Sequence, residues 1–252
     1  MLKDFYDQHK NFSFRKLTEY IISPGIRCKF DLIRENITFE RKFINGIDLG
    51  SSGNSILPFL EVIEHKSYFD IASLPLTQYL NNLKWHPLCG DVIRLPYRDE
   101  SFDFVAALDV LEHIKDDKLA ISEISRVLKK DGIIMITVPH SMKYYTNQDK
   151  LIGHYRRYEK DQLISLFENV NLKFLKFFGV YGKLMKIADI QSANPKKVEE
   201  SIINLREKYE RSIIVQKLWN LIVNLLSKFM KIDAKYTSNS KIRNIGLLFI
   251  KK

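Results

Sequence analysis

The chain has 252 residues, 45% of them hydrophobic and 28% charged, which is the composition of a soluble globular protein long enough to bury a full core. Its two cysteines, Cys28 and Cys89, lack metal-ligand or redox spacing, so both are expected as reduced thiols. The net charge of +10 is uneven, because residues 141–252 hold 22 Lys+Arg against 10 Asp+Glu, a net of +12. That half favours an anionic partner or a solvated, lysine-rich surface.

The first predicted elements are helices over residues 1–42, interrupted at Ser23-Pro24-Gly25. From Phe43 onwards, apolar runs typical of strands alternate with helical patterns. The predicted strands are Phe43–Leu49, Tyr68–Ala72, Trp85–Cys89, Phe102–Leu108, Ile133–Val138 and Leu172–Tyr181. The predicted helices between them are Ile56–His65, Leu76–Leu83, Lys118–Lys130 and Asp161–Val170. This alternation predicts an α/β domain with a parallel sheet and right-handed crossovers.

The last part of the chain is predicted to be mostly helical over residues 183–231, with a closing strand at Ile245–Ile250. The segment Ser212–Met230 places apolar residues on one helical stripe, and lysines flank it. Its longest charge-free run, Leu218–Ser227, is too short to span a bilayer, so no transmembrane span is expected. Packing as a core or lid helix, contact with a membrane surface, and a homodimer contact all remain open.

Acidic residues and glycines follow the predicted strands. The first strand runs into Asp48–Gly53, the second ends at Asp70-Ile71, and the third is followed by Gly90-Asp91-Val92. Open α/β sheets bind nucleotide-like ligands at the carboxyl ends of their strands. The order of these parts therefore predicts such a ligand across the strand ends.

Two further runs, Leu95–Val105 and Glu123–Gly132, complete a series that resembles the class I S-adenosylmethionine (SAM) methyltransferases of the small-molecule type 11 group. Both runs recur in methyltransferases and have no counterpart in dinucleotide-binding oxidoreductases, the nearest rival. The resemblance covers about residues 40–180. It implies a Rossmann-like fold with helices on both faces of a seven-stranded sheet, in the order 3-2-1-4-5-7-6 with the last strand antiparallel.

The expected organisation is an N-terminal helical cap (1–42), a SAM-binding core (43–182), a helical insertion or lid (183–243) and a closing strand (244–252). The resemblance implies SAM as the cofactor. The residues predicted to bind it are Asp48, Gly50, Ser51, Gly53, Asp70, Ile71, Asp91, Val92, Leu108 and Asp109.

These cofactor residues have different expected roles. Small residues after the first strand let the backbone approach the ligand, although Ser52 and Asn54 stand where the family usually has glycines. Asp70 is predicted to accept hydrogen bonds from the ribose hydroxyls, and the resemblance implies that Asp91 contacts adenine. Asp109 is expected either to hold the cationic methionine part or to cap the next helix. The alternative for the glycine-bearing segment after the first strand is a tight turn that binds no ligand.

The acceptor side is predicted from the run Gly153–Tyr158, which offers an imidazole, two guanidinium groups and two phenols. His154 and His140 are candidate catalytic residues, and Tyr155, Arg156 and Arg157 are candidate substrate-binding residues. The alternative is an Arg/Tyr network that braces the lid. His113 is interpreted as a packed helix residue near the cofactor.

The predicted function is SAM-dependent methyl transfer to a small-molecule acceptor, with an anionic glycan or lipid precursor favoured. The alternatives are an RNA methyltransferase and a non-catalytic scaffold that binds a partner through residues 183–231. No Asp/Asn cluster in the sequence looks like a divalent-metal site for a catechol, so metal-independent chemistry is expected. The charged segment Met1–Asp7 is unlike a signal peptide, which predicts a cytoplasmic protein.

Overall fold

The computed structural model describes residues 18–37, 40–185 and 195–252. Its strands are β1 (Phe43–Leu49), β2 (Ile63–Asp70), β3 (Trp85–Cys89), β4 (Phe102–Leu108), β5 (Leu128–Pro139), β6 (Leu172–Tyr181) and β7 (Asn244–Lys251). Its α-helices are α1 (Glu19–Ile22), α2 (Pro24–Asn36), α3 (Ser73–Leu76), α4 (Asp117–Val127), α5 (Asn147–Leu151), α6 (Lys160–Glu168), α7 (Pro195–Arg211) and α8 (Ile213–Tyr236). Parts of the expected cap (1–17, 38–39) and insertion (186–194) lie outside the described residues.

The seven strands form one sheet in the order β3-β2-β1-β4-β5-β7-β6. The pairs among β1 to β5 are parallel, whereas β7 pairs antiparallel with both β5 and β6. The predicted sheet order and the antiparallel last strand are confirmed. The parallel order brings the carboxyl ends of β1, β2, β3 and β4 to one edge, where the predicted ligand residues lie.

The core has two layers, one on each face of the sheet, because successive side chains of a strand point to opposite faces. On one face, Val105 and Ala107 of β4 belong to a buried cluster that also includes α4 and α6 residues such as Ile121 and Leu163. On the other face, Phe104 belongs to a second cluster with residues of α2. Helices on both faces thus hold the strand ends in fixed positions.

The helix predicted at Ile56–His65 is not formed. The segment makes only a three-residue 3-10 helix at Leu57–Phe59, and β2 already begins at Ile63. Pro58 falls in this short turn, and the β-branched pair Val62-Ile63 favours strand. The ligand turn therefore leads into a compact connection rather than into a full helix.

Other boundaries also differ from the prediction. The helix predicted at Leu76–Leu83 is instead α3 followed by a 3-10 turn at Thr77–Tyr79. Strand β5 starts at Leu128, five residues before its predicted start, because Leu128 pairs with Phe102 across the sheet. That pairing ends α4 at Val127.

The helix α8 packs on α2 and β6. Its Val223, Ser227 and Ala234 are buried, and Trp219 Nε1 donates a hydrogen bond of 3.0 Å to the carbonyl of Ile22. By length and composition, α8 is the one helix among the described residues that could cross a membrane, and 11% of its most apolar window is buried. The charge-free run Leu218–Ser227, on which the sequence prediction is based, is therefore shorter than the apolar part of this helix.

Candidate functional site

A cleft opens at the carboxyl ends of β1, β2, β3 and β4. Its lining includes six of the predicted cofactor residues, namely Gly50, Asp70, Ile71, Asp91, Val92 and Asp109, together with Gly90, Val110, His113 and Ile114. Asp48, Ser51, Gly53 and Leu108 belong to the strands and the turn behind this lining. The structure thus brings the strand-end residues together, as the parallel topology requires.

The turn after β1 places backbone at the cleft. Gly50 has φ of +67°, and a Cβ atom there would lie 2.4 Å from Val110 Cγ2, so only glycine fits. Ser52, which replaces a glycine of the family pattern, also has a positive φ of +46°. The turn therefore keeps the left-handed conformation at this position although its residue is not glycine.

Asp70 is buried at the end of β2, and the backbone holds both of its carboxylate oxygens. Ser52 N donates to Oδ2 at 2.8 Å and Ala72 N donates to Oδ1 at 2.9 Å. Burial raises the pKa of Asp70 above its usual value. Each oxygen keeps further acceptor capacity, which suits a ligand diol.

Asp91 follows β3 and caps the 3-10 turn Val92–Arg94, since its Oδ1 accepts a hydrogen bond of 3.2 Å from Ile93 N. Its side chain is exposed at the cleft. A capping role and a ligand role are compatible here, because only one carboxylate oxygen is engaged in the cap.

Asp48 supports the turn from behind. Ser55 Oγ donates to Asp48 Oδ2 at 2.5 Å, and Leu57 N donates to Ser55 Oγ at 3.1 Å. Burial raises the pKa of Asp48 to about 7, although the hydrogen bond from Ser55 opposes the shift. Asp48 therefore fixes the shape of the turn.

Asp109 lies at the end of β4 with φ of +55° and is held by three other segments. Lys29 Nζ of α2 donates to Oδ2 at 2.5 Å, while Thr137 Oγ1 and Asn244 Nδ2 donate to Oδ1 at 2.9 and 2.8 Å. Burial alone would raise the pKa of Asp109, but the Lys29 charge and these hydrogen bonds hold it at about 2. Asp109 is thus an anion whose charge is balanced by Lys29.

The segment after β5 returns to the cleft beside His113. The rings of His113 and His154 make an edge-to-face contact with centroids 4.5 Å apart. Nδ1 of His154 lies 2.8 Å from Asp149 Oδ1, and its Nε2 lies 3.9 Å from Glu112 Oε1. The backbone N–H of Tyr155 donates to the Glu112 carbonyl at 2.8 Å, which ties the two segments together.

The two predicted substrate-binding arginines are engaged by acidic side chains. Arg157 donates to both oxygens of Asp149 at 2.9 Å. Arg156 forms an ion pair of 2.6 Å with Asp117 and donates to the carbonyl of Lys115. Burial raises the pKa of Asp149, but hydrogen bonds from His154 and Arg157 outweigh it and hold that pKa well below its usual range.

The other predicted catalytic residue, His140, lies elsewhere. It is buried at the end of β5, where its Nδ1 is 3.2 Å from the Ile242 carbonyl and its Nε2 is 3.6 Å from Glu159. It lines a separate cleft with Lys160 and Phe177. The structure therefore groups His154, and not His140, with the strand-end residues.

Sequence reasoning missed Lys29, Glu112 and Asp149. Lys29 and Asp149 come from segments far from the strand ends and carry no local pattern that points to the cleft. Glu112 could have been noticed from the spacing Asp109-Val-Leu-Glu112-His113, which puts two carboxylates and an imidazole directly after one strand.

Comparison with known proteins places these features in a family. Residues 47–136 match the family model described as a methyltransferase domain. An uncharacterized protein of Methanocaldococcus jannaschii is 25% identical over 186 residues, which cover 71% of this chain and 78% of that protein. A protein of Mycolicibacterium smegmatis described as a probable S-adenosylmethionine-dependent methyltransferase is 28% identical over 94 residues, covering 36% of this chain and 37% of its own length.

The fold is also that of a solved methyltransferase. Haemonchus contortus phosphoethanolamine N-methyltransferase 2, in complex with S-adenosyl-L-methionine, matches with a TM-score of 0.62 at 16% identity. The match covers the whole of this chain and 60% of that chain. At this identity the likeness concerns the fold.

Proposed function

We propose that this chain, a class I S-adenosylmethionine-dependent methyltransferase, methylates a small-molecule acceptor that is carried by or embedded in an anionic membrane surface on its cytoplasmic side. The cofactor chemistry follows from the family. The acceptor class is the proposal, and one observation carries it, namely the exposed face of α8.

The cleft residues fit the cofactor. In the proposed arrangement, Asp70 accepts hydrogen bonds from the ribose diol with the lone pairs that Ser52 and Ala72 leave unused. Gly50 lets the backbone approach the ligand because its place has no room for a Cβ atom. The Asp109 carboxylate, anionic at neutral pH, lies where it attracts a cation. Bound SAM supplies a methyl carbon on a positively charged sulfur, and this carbon is the group that the acceptor receives.

The exposed face of α8 is an apolar stripe along the whole helix. Its members are 53–85% exposed: Ile214, Leu218, Leu221, Leu225, Phe229, Ile232 and Tyr236. Their spacing of three and four residues keeps them on one face. With a rise of about 1.5 Å per residue, the 24 residues of α8 extend about 36 Å, and the stripe follows nearly all of this length. A continuous apolar surface of this kind is typical of an interaction site.

The charges beside this stripe favour an anionic lipid surface. Exposed Lys217 and Lys228 share one flank of α8, where their stems can lie along the apolar face with the ammonium groups at phosphate depth. Lys235 lies on the same flank, but its ammonium group pairs with Glu35 at 2.9 Å. The helix has a single acidic residue, Asp233, which accepts hydrogen bonds from Leu184 N and Thr237 Oγ1. An amphipathic helix with a cationic border matches a membrane interface.

The stripe is also connected to the cleft. The opposite side of α8 packs on α2, and α2 carries Lys29, whose Nζ contacts Asp109 in the cleft. A membrane bound to α8 therefore lies against the same helical layer that borders the ligand site. This arrangement supports an acceptor delivered from the lipid surface, with Tyr155, Arg156 and Arg157 as proposed contacts on the acceptor side.

The test is sedimentation of the full-length protein with phosphatidylcholine vesicles that contain or lack phosphatidylglycerol. The double variant L221D/L225D should lose binding to the anionic vesicles by at least tenfold, whereas the control L83D, which changes a fully exposed leucine far from α8, should retain it. Methyl label from SAM should then enter the lipid extract of the source cells. Label in RNA, or equal vesicle binding by the double variant and the wild type, would contradict the proposal.

A further inference from the structure

Three potential metal ligands meet beside the cleft, and we refer to them as the Glu112–His113–His154 cluster. One ligand atom of each residue lies within 4.8 Å of those of the other two. Glu112 Oε1 and His154 Nε2 are 3.9 Å apart. Donor atoms bound to one ion at about 2.0–2.2 Å lie closer together than this, so the three side chains must rotate slightly inward to complete a coordination sphere.

The Glu112 carboxylate is the observation that points to a ligand. It is fully buried, and within the described parts of the chain neither Oε1 nor Oε2 has a hydrogen-bond partner. Leaving a buried polar group unpaired costs about 1–3 kcal/mol, and more for a charged group. Buried carboxylates are normally paired with a cation or coordinate a metal. A cation bound by the carboxylate would remove this cost.

The surroundings of His154 orient it toward Glu112. Asp149 Oδ1 accepts from Nδ1 of His154 at 2.8 Å, which leaves Nε2 as the ring nitrogen that faces Glu112. Asp149 is fixed in turn by Arg157 at 2.9 Å on each oxygen and by Thr146 N at 2.7 Å. A carboxylate that holds the far nitrogen of an imidazole is the usual support of a metal-ligating histidine.

We propose that the Glu112–His113–His154 cluster binds one divalent transition-metal ion, with Zn²⁺ as the representative probe. Two imidazoles and one carboxylate suit Zn²⁺, Fe²⁺ or Ni²⁺, whereas Mg²⁺ and Ca²⁺ prefer all-oxygen sites. Three protein ligands leave coordination positions open, as in catalytic metal sites. This proposal differs from the metal-independent chemistry expected from the sequence. It also makes His154 Nε2 a metal ligand instead of a proton acceptor.

The position of the ion suggests its use. His113 lines the cofactor cleft, so an open coordination position faces the same space. An oxygen of the acceptor could bind there and be held beside the cofactor. This use rests on the proposed methyl transfer, whereas metal binding by the cluster does not.

The experiment is calorimetric titration of chelator-treated, full-length protein with ZnCl₂ and, separately, MgCl₂. We expect one Zn²⁺ per chain and no comparable Mg²⁺ binding. E112Q and H154A should each weaken Zn²⁺ binding at least tenfold, about 1.4 kcal/mol. The control H86A removes an exposed histidine distant from the cluster and should bind Zn²⁺ as the wild type does. Zn²⁺ should also raise the unfolding temperature of the wild type and of H86A, but not of E112Q.

E112Q separates a metal ligand from a structural residue, because its amide keeps the shape of the carboxyl. Without metal, E112Q should unfold at about the wild-type temperature, since it keeps the size of the side chain and removes a carboxyl group whose oxygens have no hydrogen-bond partner among the described residues. Equal Zn²⁺ affinity of E112Q and the wild type would overturn the proposal. So would loss of binding in H86A, or an E112Q protein that fails to fold. None of these results depends on the methyl acceptor, so a wrong acceptor class would leave the metal site intact.

Discussion

Lys29 Nζ lies 2.5 Å from Asp109 Oδ2, and this contact joins the N-terminal helical layer to the floor of the cofactor cleft. The two residues are 80 positions apart in the chain. Because the pair is partly buried, its charges are weakly screened and influence any charged ligand nearby.

Replacing Lys29 by Met should change how the cleft discriminates between the cofactor and its product. The Asp109 charge would lose its cation, so the positively charged sulfur of SAM should be favoured over the neutral sulfur of S-adenosylhomocysteine. We expect the ratio of the two dissociation constants to shift toward SAM by about threefold or more. Calorimetry with both ligands measures this ratio. The control K231M removes a lysine that pairs with Glu35 outside the cleft. A parallel change in both affinities would contradict the prediction.

Replacing Asp70 by Asn should weaken the binding of S-adenosylhomocysteine by about 1–3 kcal/mol. The Asn amide offers the ribose diol one acceptor oxygen, whereas the Asp carboxylate offers two. The matched control is D103N. Asp103 also accepts two backbone hydrogen bonds, from Ile44 and Asn45, but at the opposite end of the sheet. Calorimetry of the two variants compares the sites, and equal affinities would show that Asp70 only shapes the turn.

Replacing Gly50 by Ala should abolish cofactor binding and lower the free energy of unfolding by at least about 2 kcal/mol. The new methyl group would meet Val110, and the left-handed backbone disfavours a side chain by about 1–2 kcal/mol on its own. G25A is the control, because a Cβ at Gly25 has its nearest contacts at 3.7 and 3.8 Å. Urea denaturation measures both variants. A G50A protein as stable as G25A would mean that the turn adapts easily.

The buried Asp48 should make the protein less stable as the pH rises from about 4 to 7. In this range the folded state keeps a proton that the unfolded state has lost, because the folded pKa is about 7 against an ordinary 3.8. The effect amounts to at most about 4 kcal/mol. D48N should remove this part of the pH dependence, while D103N keeps it. Urea denaturation at several pH values across the range provides the test, which fails if D48N and the wild type show the same slope.

The strands were predictable because their signal is local. Apolar runs such as Phe102–Leu108 can only be buried on both faces of a sheet, and four strands have their predicted bounds. The helix at Ile56–His65 was wrong because its apolar residues fit helix spacing, yet Pro58 and the early start of β2 leave no room for it.

The residues of the candidate site also fall into those that could be predicted from the sequence and those that could not. Asp70 and Asp91 could be located from the order of the strands, since a parallel sheet brings the carboxyl ends of its strands to one edge. Lys29 and the Asp149–Arg157 pair could not, because side-chain partners from distant segments depend on how helices and loops pack. The lone spacing signal, Glu112-His113 directly after β4, becomes informative only when the position of His154 is known.

Strand β7 lies between β5 and β6, although β6 precedes it in the chain by more than sixty residues. During synthesis, the edges of β5 and β6 that pair with β7 therefore stay unpaired until the segment 244–251 has been made. In that interval β6 presents unpaired backbone and the rings of Phe174, Phe177 and Phe178, which is a risk for association between nascent chains. Lys173 and Lys176, both exposed on β6, oppose such association by their charge. We therefore expect the yield of the enzyme to depend on chaperones while residues 182–243 are being made.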